Sequence, residues 1–102
     1  MAQIETRRMA YHELLRRVRD HHREAGEAVD FWLMKHGSIV AHYRVRPIDS
    51  DVWTDLLPTG ASANTYRHTI QRLAPILCPE EDVSIAAVER EDREVTLSLL
   101  RE

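Results

Sequence analysis

Six histidines and a group of three acidic residues are the side chains best suited to bind a metal ion. Zinc ligands usually come in pairs at short fixed spacings such as H-x3-H or C-x2-C, and the isolated histidines show neither spacing. His21 and His22 are adjacent, so on a helix they point about 100° apart. Asp49, Asp51 and Asp55 could hold Mg²⁺ or Ca²⁺, but capping of a helix explains the same residues more simply. We therefore expect no metal site.

Three residues, Ser62, Thr65 and Cys78, could act as nucleophiles. Nucleophilic catalysis also needs a base oriented beside the nucleophile, and the sequence places no histidine or acid in that position. The three glycines are scattered along the chain and cannot form a phosphate-binding loop. We expect no catalytic residues and no cofactor, and we interpret the chain as a protein that works by binding.

The segment Gly60–Leu73, with the sequence GASANTYRHTIQRL, combines a turn residue, a capping residue and a helical pattern. Gly60 permits a tight turn, Ser62 can cap a helix, and apolar residues then follow at helical spacing. The segment resembles the turn and recognition helix of winged helix-turn-helix regulators, in which polar side chains contact phosphates and base edges in the major groove. The resemblance implies a DNA-binding set of six residues, namely Ser62, Asn64, Thr65, Arg67, His68 and Arg72.

The same resemblance implies a helix before the turn and a β-hairpin wing after the recognition helix. Val52–Leu57, preceded by capping residues, would be the first of these helices. Residues 83–88 are apolar and residues 95–99 alternate, with the charged residues 90–93 between them, which predicts the hairpin. A continuous helix over residues 79–100 is the alternative, because Ala87, Glu91, Val95 and Leu99 also recur every four residues.

The N-terminal third has a heptad pattern. From Ile4 to about Lys35 the residues at every seventh position are mainly apolar, which predicts one long helix that Gly37 ends. Because Gly26 costs about 1 kcal/mol in a helix interior, a division of this stretch in two at Gly26 is the alternative. This helix would pack on the protein's own sheet or form the seam of a homodimer. The following segment, Ser38–Arg46, alternates in its second half with Tyr43 and Val45 on one side, which predicts a strand.

Together these elements predict an α+β fold. It comprises a long N-terminal helix, a strand, two short helices in a helix-turn-helix-like arrangement and a C-terminal β-hairpin. With 102 residues, 43% hydrophobic and 30% charged, the chain suits a single domain over residues 1–102, with a helical region (1–36) and an α+β region (38–102). A lone cysteine cannot form an internal disulfide, and no long apolar run occurs, so we expect a cytoplasmic protein without membrane association.

The charge distribution bears on the choice of partner. Residues 1–36 carry seven basic residues against six acids, residues 37–79 four against three, and residues 80–102 three against eight. The acidic C-terminal region weakens the attraction to DNA. Our leading hypothesis is nevertheless a small, non-enzymatic DNA-binding transcriptional regulator of winged-helix type, dimeric through its N-terminal helix.

Two other classes remain open. The alternative hypothesis is a protein–protein interaction module, such as a phage or mobile-element inhibitor, adaptor or assembly chaperone, that acts through an acidic and aromatic surface. A set of residues similar to one in small phage tail-assembly chaperones supports it: Trp53, Leu56, Tyr66, Ile70 and Cys78-Pro79. The third class is an enzyme whose active site is assembled from residues distant in sequence.

Overall fold

Two three-stranded antiparallel sheets and two helices make up the fold. A computed structural model describes residues 3–34, 41–57 and 62–101, with the side chains of residues 62–65 outside that description. Sheet A has the strand order β1-β6-β5 and sheet B the order β2-β3-β4. The elements in chain order are β1 (Gln3–Ala10), α1 (Tyr11–Glu24), β2 (Glu27–Leu33), β3 (Ala41–Pro47), β4 (Thr54–Asp55), α2 (Ser62–Leu77), β5 (Val83–Arg90) and β6 (Glu94–Arg101).

The prediction of one long N-terminal helix is wrong, and so is that of a helical region over residues 1–36. Three elements occupy this stretch, a strand, a 14-residue helix and a second strand. The first strand pairs with β6, which places Arg7 opposite Leu97 and Met9 opposite Val95. Because side chains alternate between the two sides of a strand, Met9 packs against the core while Ile4 stays 80% exposed. The seam proposed for a homodimer is therefore not one continuous helix.

Gly26 is the point at which α1 turns into β2. Its φ of 78° lies in the left-handed region, which L-residues with a side chain rarely adopt. The backbone N–H groups of Ala25 and Gly26 close the last turn of α1 on the carbonyls of His22 and Arg23. From there the chain extends, and Val29, Phe31 and Leu33 alternate toward the interior as in a half-buried strand.

Strand β4 of sheet B occupies the segment predicted as the first helix of the helix-turn-helix. The predicted helix Val52–Leu57 is wrong, because residues 51–53 are irregular and Thr54–Asp55 pair with β3 as a two-residue strand. The predicted strand Ser38–Arg46 agrees with β3 where it is described, although residues 38–40 lie outside the described part, as do Gly37 and the turn at residues 59–61. Because the described residues between β3 and α2 contain no helix, the predicted pair of consecutive helices has no structural basis.

The predicted C-terminal hairpin and the predicted helix before it are both present in the structure. The hairpin is confirmed by the antiparallel pairing of β5 with β6. An irregularity in the register between Ile85 and Ala87 allows both Ile85 and Val88 to be buried although they are three residues apart. The helix predicted from Ala63 to about Leu73 exists as α2 and extends further, to Leu77, with Pro75 in its last turn.

One hydrophobic core joins both helices and both sheets. The helices contribute Leu14, Val18, Leu73 and Leu77, all at most 1% exposed, while β6 contributes its fully buried inward row. Sheet B adds Tyr43 and Val45 from its inner side. No helix of the described part is long and apolar enough to cross a membrane.

Arg90 links the two sheets at the end of β2. Its guanidinium lies over the Tyr11 ring, with 3.6 Å between the guanidinium carbon and the ring centroid. Nη1 of Arg90 donates a hydrogen bond to the carbonyl of Leu33, and the N–H of Leu33 donates to the Tyr11 hydroxyl at 2.9 Å. One residue each from β5, α1 and β2 is therefore held at this corner.

Candidate functional site

The six predicted DNA-binding residues all belong to α2, and the structure places three of their side chains. Arg67, His68 and Arg72 are exposed, whereas the neighbouring Thr69 and Leu73 are buried. The side chains of the other three predicted residues, Ser62, Asn64 and Thr65, lie outside the described part. The basic residues thus share the solvent side of α2, although the helix expected to precede them is missing.

A second and more structured surface lies on the outer side of sheet B. Tyr43 and Val45 point into the core, so the residues that alternate with them on β3 point outward. The antiparallel register places Asp30 opposite Arg44 and Trp32 opposite His42. We call this surface the tryptophan face and define it by six residues: Asp30, Trp32, His42, Arg44, Arg46 and Trp53.

Trp32 and His42 form one half of the tryptophan face. Their rings are stacked, with centroids 5.5 Å apart and an angle of 10° between the planes. Trp32 remains 44% exposed, which leaves a broad apolar surface open to solvent. The stacking restricts the rotamers of both side chains, so less conformational entropy is left to lose when another molecule covers them.

Trp53 forms the other half, with two arginines against its ring. The guanidinium carbon lies 4.6 Å from the ring centroid for Arg44 and 5.3 Å for Arg46. Nη1 of Arg46 also donates hydrogen bonds to the backbone carbonyls of residues 47, 48 and 50, at 3.0 to 3.2 Å. These bonds fix the loop that carries Trp53, which is itself 37% exposed.

Asp30 connects the two halves. One of its carboxylate oxygens, Oδ2, accepts a hydrogen bond from Arg44 Nε at 3.0 Å and lies 3.0 Å from His42 Nε2. Partial burial raises the pKa of Asp30, but the hydrogen bonds from Arg44 and His42 outweigh that effect, so the pKa lies below its ordinary value. Asp30 is therefore ionised at neutral pH and neutralises one of the two arginines of the face.

The rim of the tryptophan face is apolar on one side and acidic on another. Met34, Ile48 and Val52 are 50% to 70% exposed. Three carboxylates, those of Asp49, Asp51 and Asp55, are also exposed, and Asp55 lies directly opposite Arg44 in the register of β3 and β4. These are the acids that the sequence suggested as helix caps or cation ligands. In the structure, Asp55 lies beside the arginine of the face, and Asp49 and Asp51 belong to the exposed segment that leads to Trp53.

A buried chain of hydrogen bonds lies on the inner side of the same sheet. His22, which is 7% exposed, has its Nδ1 3.1 Å from Glu27 Oε1 and its Nε2 2.5 Å from the Tyr43 hydroxyl. With the carboxylate accepting from Nδ1–H, Nε2 carries the lone pair and accepts from the tyrosine. Burial raises the pKa of Tyr43 to about 12; the charge of Arg72 opposes this increase and the charge of Glu27 adds to it. Tyr43 is thus protonated at neutral pH and donates a hydrogen bond rather than acting as a tyrosinate base.

Tyr43 also lines a cavity of about 230 Å³ between the end of α1, β3 and α2. Its polar wall includes Arg72, one of the predicted DNA-binding residues, together with Gln71 and the two adjacent histidines. Aliphatic side chains and a proline complete the lining. The eight lining residues are His21, His22, Tyr43, Leu56, Gln71, Arg72, Pro75 and Ile76.

The two candidate sites are therefore a stacked aromatic surface and a small polar cavity. Among the described residues, no group of three or more histidines, cysteines or acids could hold a metal ion. Comparison with known proteins adds no assignment: no protein-family model, curated protein or solved structure matches the chain.

Proposed function

We propose that the chain is a protein-binding module and that the tryptophan face is its contact surface. The observation that carries this proposal is the pair of half-exposed tryptophans held in place by stacking on His42, Arg44 and Arg46. Tryptophan and arginine are the residues that most often dominate the energy of protein interfaces. An ordered arrangement of both on an open sheet surface is what an interface centre requires.

The chemistry of the partner follows from the charges around the aromatic centre. Asp30 pairs with Arg44, which leaves one positive charge at the centre, that of Arg46, whose guanidinium is hydrogen-bonded to backbone carbonyls. The rim carries exposed carboxylates at Asp49, Asp51 and Asp55. A protein with apolar side chains at the centre of its contact surface and basic side chains at the edge is complementary to this arrangement. A polyanion would be repelled by the rim.

The solvent side of α2 supports nucleic-acid binding as a second candidate. Arg67 and Arg72 make no ion pair within the described part of the chain, whereas Arg7, Arg44 and Arg101 do. Unpaired cations on one side of a helix favour phosphate binding. The winged-helix mode is not retained, because neither the preceding helix nor the long N-terminal helix exists.

A cytoplasmic location is kept in the proposal, since Cys78 is a buried free thiol.

Affinity capture followed by titration tests the proposal. The wild-type chain is immobilised, a stoichiometric protein partner is recovered from a native lysate of the source organism, and the purified partner is titrated with wild type and two variants. Trp32→Ala removes the exposed half of the aromatic centre. Ile4→Ala is the matched control, because Ile4 is an equally apolar and even more exposed residue on the other sheet.

We expect Trp32→Ala to weaken binding by about 30-fold or more, as for an interface hot spot, and Ile4→Ala to bind as wild type. Recovery of no stoichiometric partner, or equal binding by Trp32→Ala, would overturn the proposal.

Fluorescence polarisation with mixed duplex DNA over a range of salt concentrations tests the second candidate. Tight, salt-sensitive binding that Arg67→Ala weakens and Trp32→Ala leaves unchanged would replace protein binding by nucleic-acid binding.

A further inference from the structure

We infer that the cavity beneath α2 binds a small ligand with an oxyanion group, a carboxylate or a phosphate, attached to a small apolar body. This site is separate from the tryptophan face and does not depend on its function. The cavity lies on the inner side of β3, where Tyr43 points, whereas the tryptophan face lies on the outer side. Three features of the cavity point to such a ligand: its charge, its size and the presence of both polar and apolar side chains in its lining.

The charge of the lining is the first observation. None of the eight lining residues is acidic, and one, Arg72, is a permanent cation. Within the described residues Arg72 has no carboxylate partner. Glu27, the nearest acid of the hydrogen-bonded chain, lies beyond His22 and is held by Nδ1 of that histidine. The positive charge at the cavity is therefore not neutralised from within it, which favours an anionic ligand.

The hydrogen-bonding groups of the lining are the second observation. The guanidinium of Arg72 can bind two oxygens of one carboxylate or phosphate in parallel. The amide of Gln71 and the ring of His21 add further donors beside it. The Tyr43 hydroxyl donates a hydrogen bond to Nε2 of His22, so its role is to hold the wall in place rather than to bind the anion.

Size and polarity define the rest of the ligand. A volume of about 230 Å³ is smaller than the sites of drug-sized molecules, which begin at about 300 Å³. Leu56, Pro75 and Ile76 also line the cavity and suit a compact apolar group. A phenyl or short branched alkyl body with one oxyanion group meets both requirements.

The test uses three probes that share one body. Isothermal titration calorimetry of the full chain with phenyl phosphate, benzoate and benzyl alcohol, each to about 10 mM so that a Kd near 1 mM is measurable, separates phosphate, carboxylate and neutral head groups. Arg72→Gln removes the cation from the cavity. Arg67→Gln is the matched control, because Arg67 is an exposed arginine of the same helix that does not line the cavity.

We expect saturable binding of phenyl phosphate or benzoate, with the tighter probe identifying the head group, and no measurable binding of benzyl alcohol. Arg72→Gln should weaken the anion by about tenfold or more, and Arg67→Gln by less than about twofold. The inference is overturned if neither anion binds saturably, if benzyl alcohol binds equally well, or if both arginine substitutions weaken binding alike. The last result would indicate general attraction of anions to α2.

Discussion

Replacing Tyr43 with phenylalanine removes one oxygen atom from the middle of the buried hydrogen-bonded chain. Tyr43 is 3% exposed, and its hydroxyl lies 2.5 Å from Nε2 of His22. The variant leaves that nitrogen buried without a partner, at a cost of about 1 to 3 kcal/mol in the free energy of unfolding. Because the phenyl ring keeps its edge contact with Phe31, the loss should reflect the hydrogen bond rather than packing.

The effect should also depend on pH in a defined direction. The pKa of Tyr43 is raised from 10.0 to about 12 in the folded protein. Between those values the unfolded chain loses the phenol proton while the folded protein keeps it, so wild-type stability falls as pH rises. The fall is about 1.4 kcal/mol per pH unit. The variant has no phenol at this position, so its disadvantage should shrink above pH 10 and be largely lost near pH 12.

Urea unfolding followed by far-UV circular dichroism at about pH 8, 10 and 11.5 measures this difference, with the pH values chosen to bracket the titration of tyrosine. Tyr66→Phe is the matched control, because the Tyr66 hydroxyl donates to the carbonyl of Ala86 at an exposed position, and its loss should cost about 1 kcal/mol or less. A stability difference for Tyr43→Phe that stays constant from pH 8 to 11.5 would refute the reasoning, since it would mean that the hydroxyl is not shielded from water.

Three further substitutions test other parts of the fold by the same unfolding measurement. Leu97→Ala, at a fully buried position of β6, should cost about 2 to 5 kcal/mol; a loss below about 1 kcal/mol would contradict the assigned core. Gly26→Ala should cost about 1 to 2 kcal/mol from backbone strain alone, because nothing lies within 4 Å of the added methyl group; a neutral effect would argue against the positive φ. Asp30→Asn should lower the free energy of unfolding by at most about 1 kcal/mol at pH 7. This loss should be present above the ordinary pKa of 3.8 and vanish as pH falls through the lowered pKa of Asp30. A loss that persists in acid would show that the ion pairs do not cause it.

The parts of the fold that could be predicted from sequence are those in which the pattern is local. The alternation in β6 and the apolar run in β5 predicted the hairpin, and the spacing of Ile70 and Leu73 predicted α2. The prediction for the N-terminal third failed because an accidental heptad repeat runs through three different elements. Gly26 and the alternation of Val29 with Phe31 mark the boundary between α1 and β2, but the heptad repeat covers more residues and favours a continuous helix.

The candidate sites could be predicted only in part, because their members meet through sheet pairing. The outward direction of His42, Arg44 and Arg46 followed from the alternation of β3. Their contacts with Trp32 and Asp30 did not, since these require β2 to be recognised as a strand and placed in register with β3. His22 and Tyr43 are 21 residues apart in sequence, and no spacing rule relates them. The resemblance to winged-helix regulators predicts that Arg72 contacts DNA. Its position at the cavity could not be predicted, because it depends on how α2 packs against α1.

The corner formed by Arg90, Tyr11 and Leu33 affects how the protein behaves at high concentration. β2 is an edge strand of sheet B, and the free N–H and C=O groups of an edge strand can pair with a strand of another molecule. At Leu33 both groups are already occupied, by the Tyr11 hydroxyl and the Arg90 guanidinium. Leu33 therefore has no free backbone hydrogen-bonding group with which to start intermolecular β-pairing at this end of β2, and loss of either side chain would make the protein more prone to aggregate.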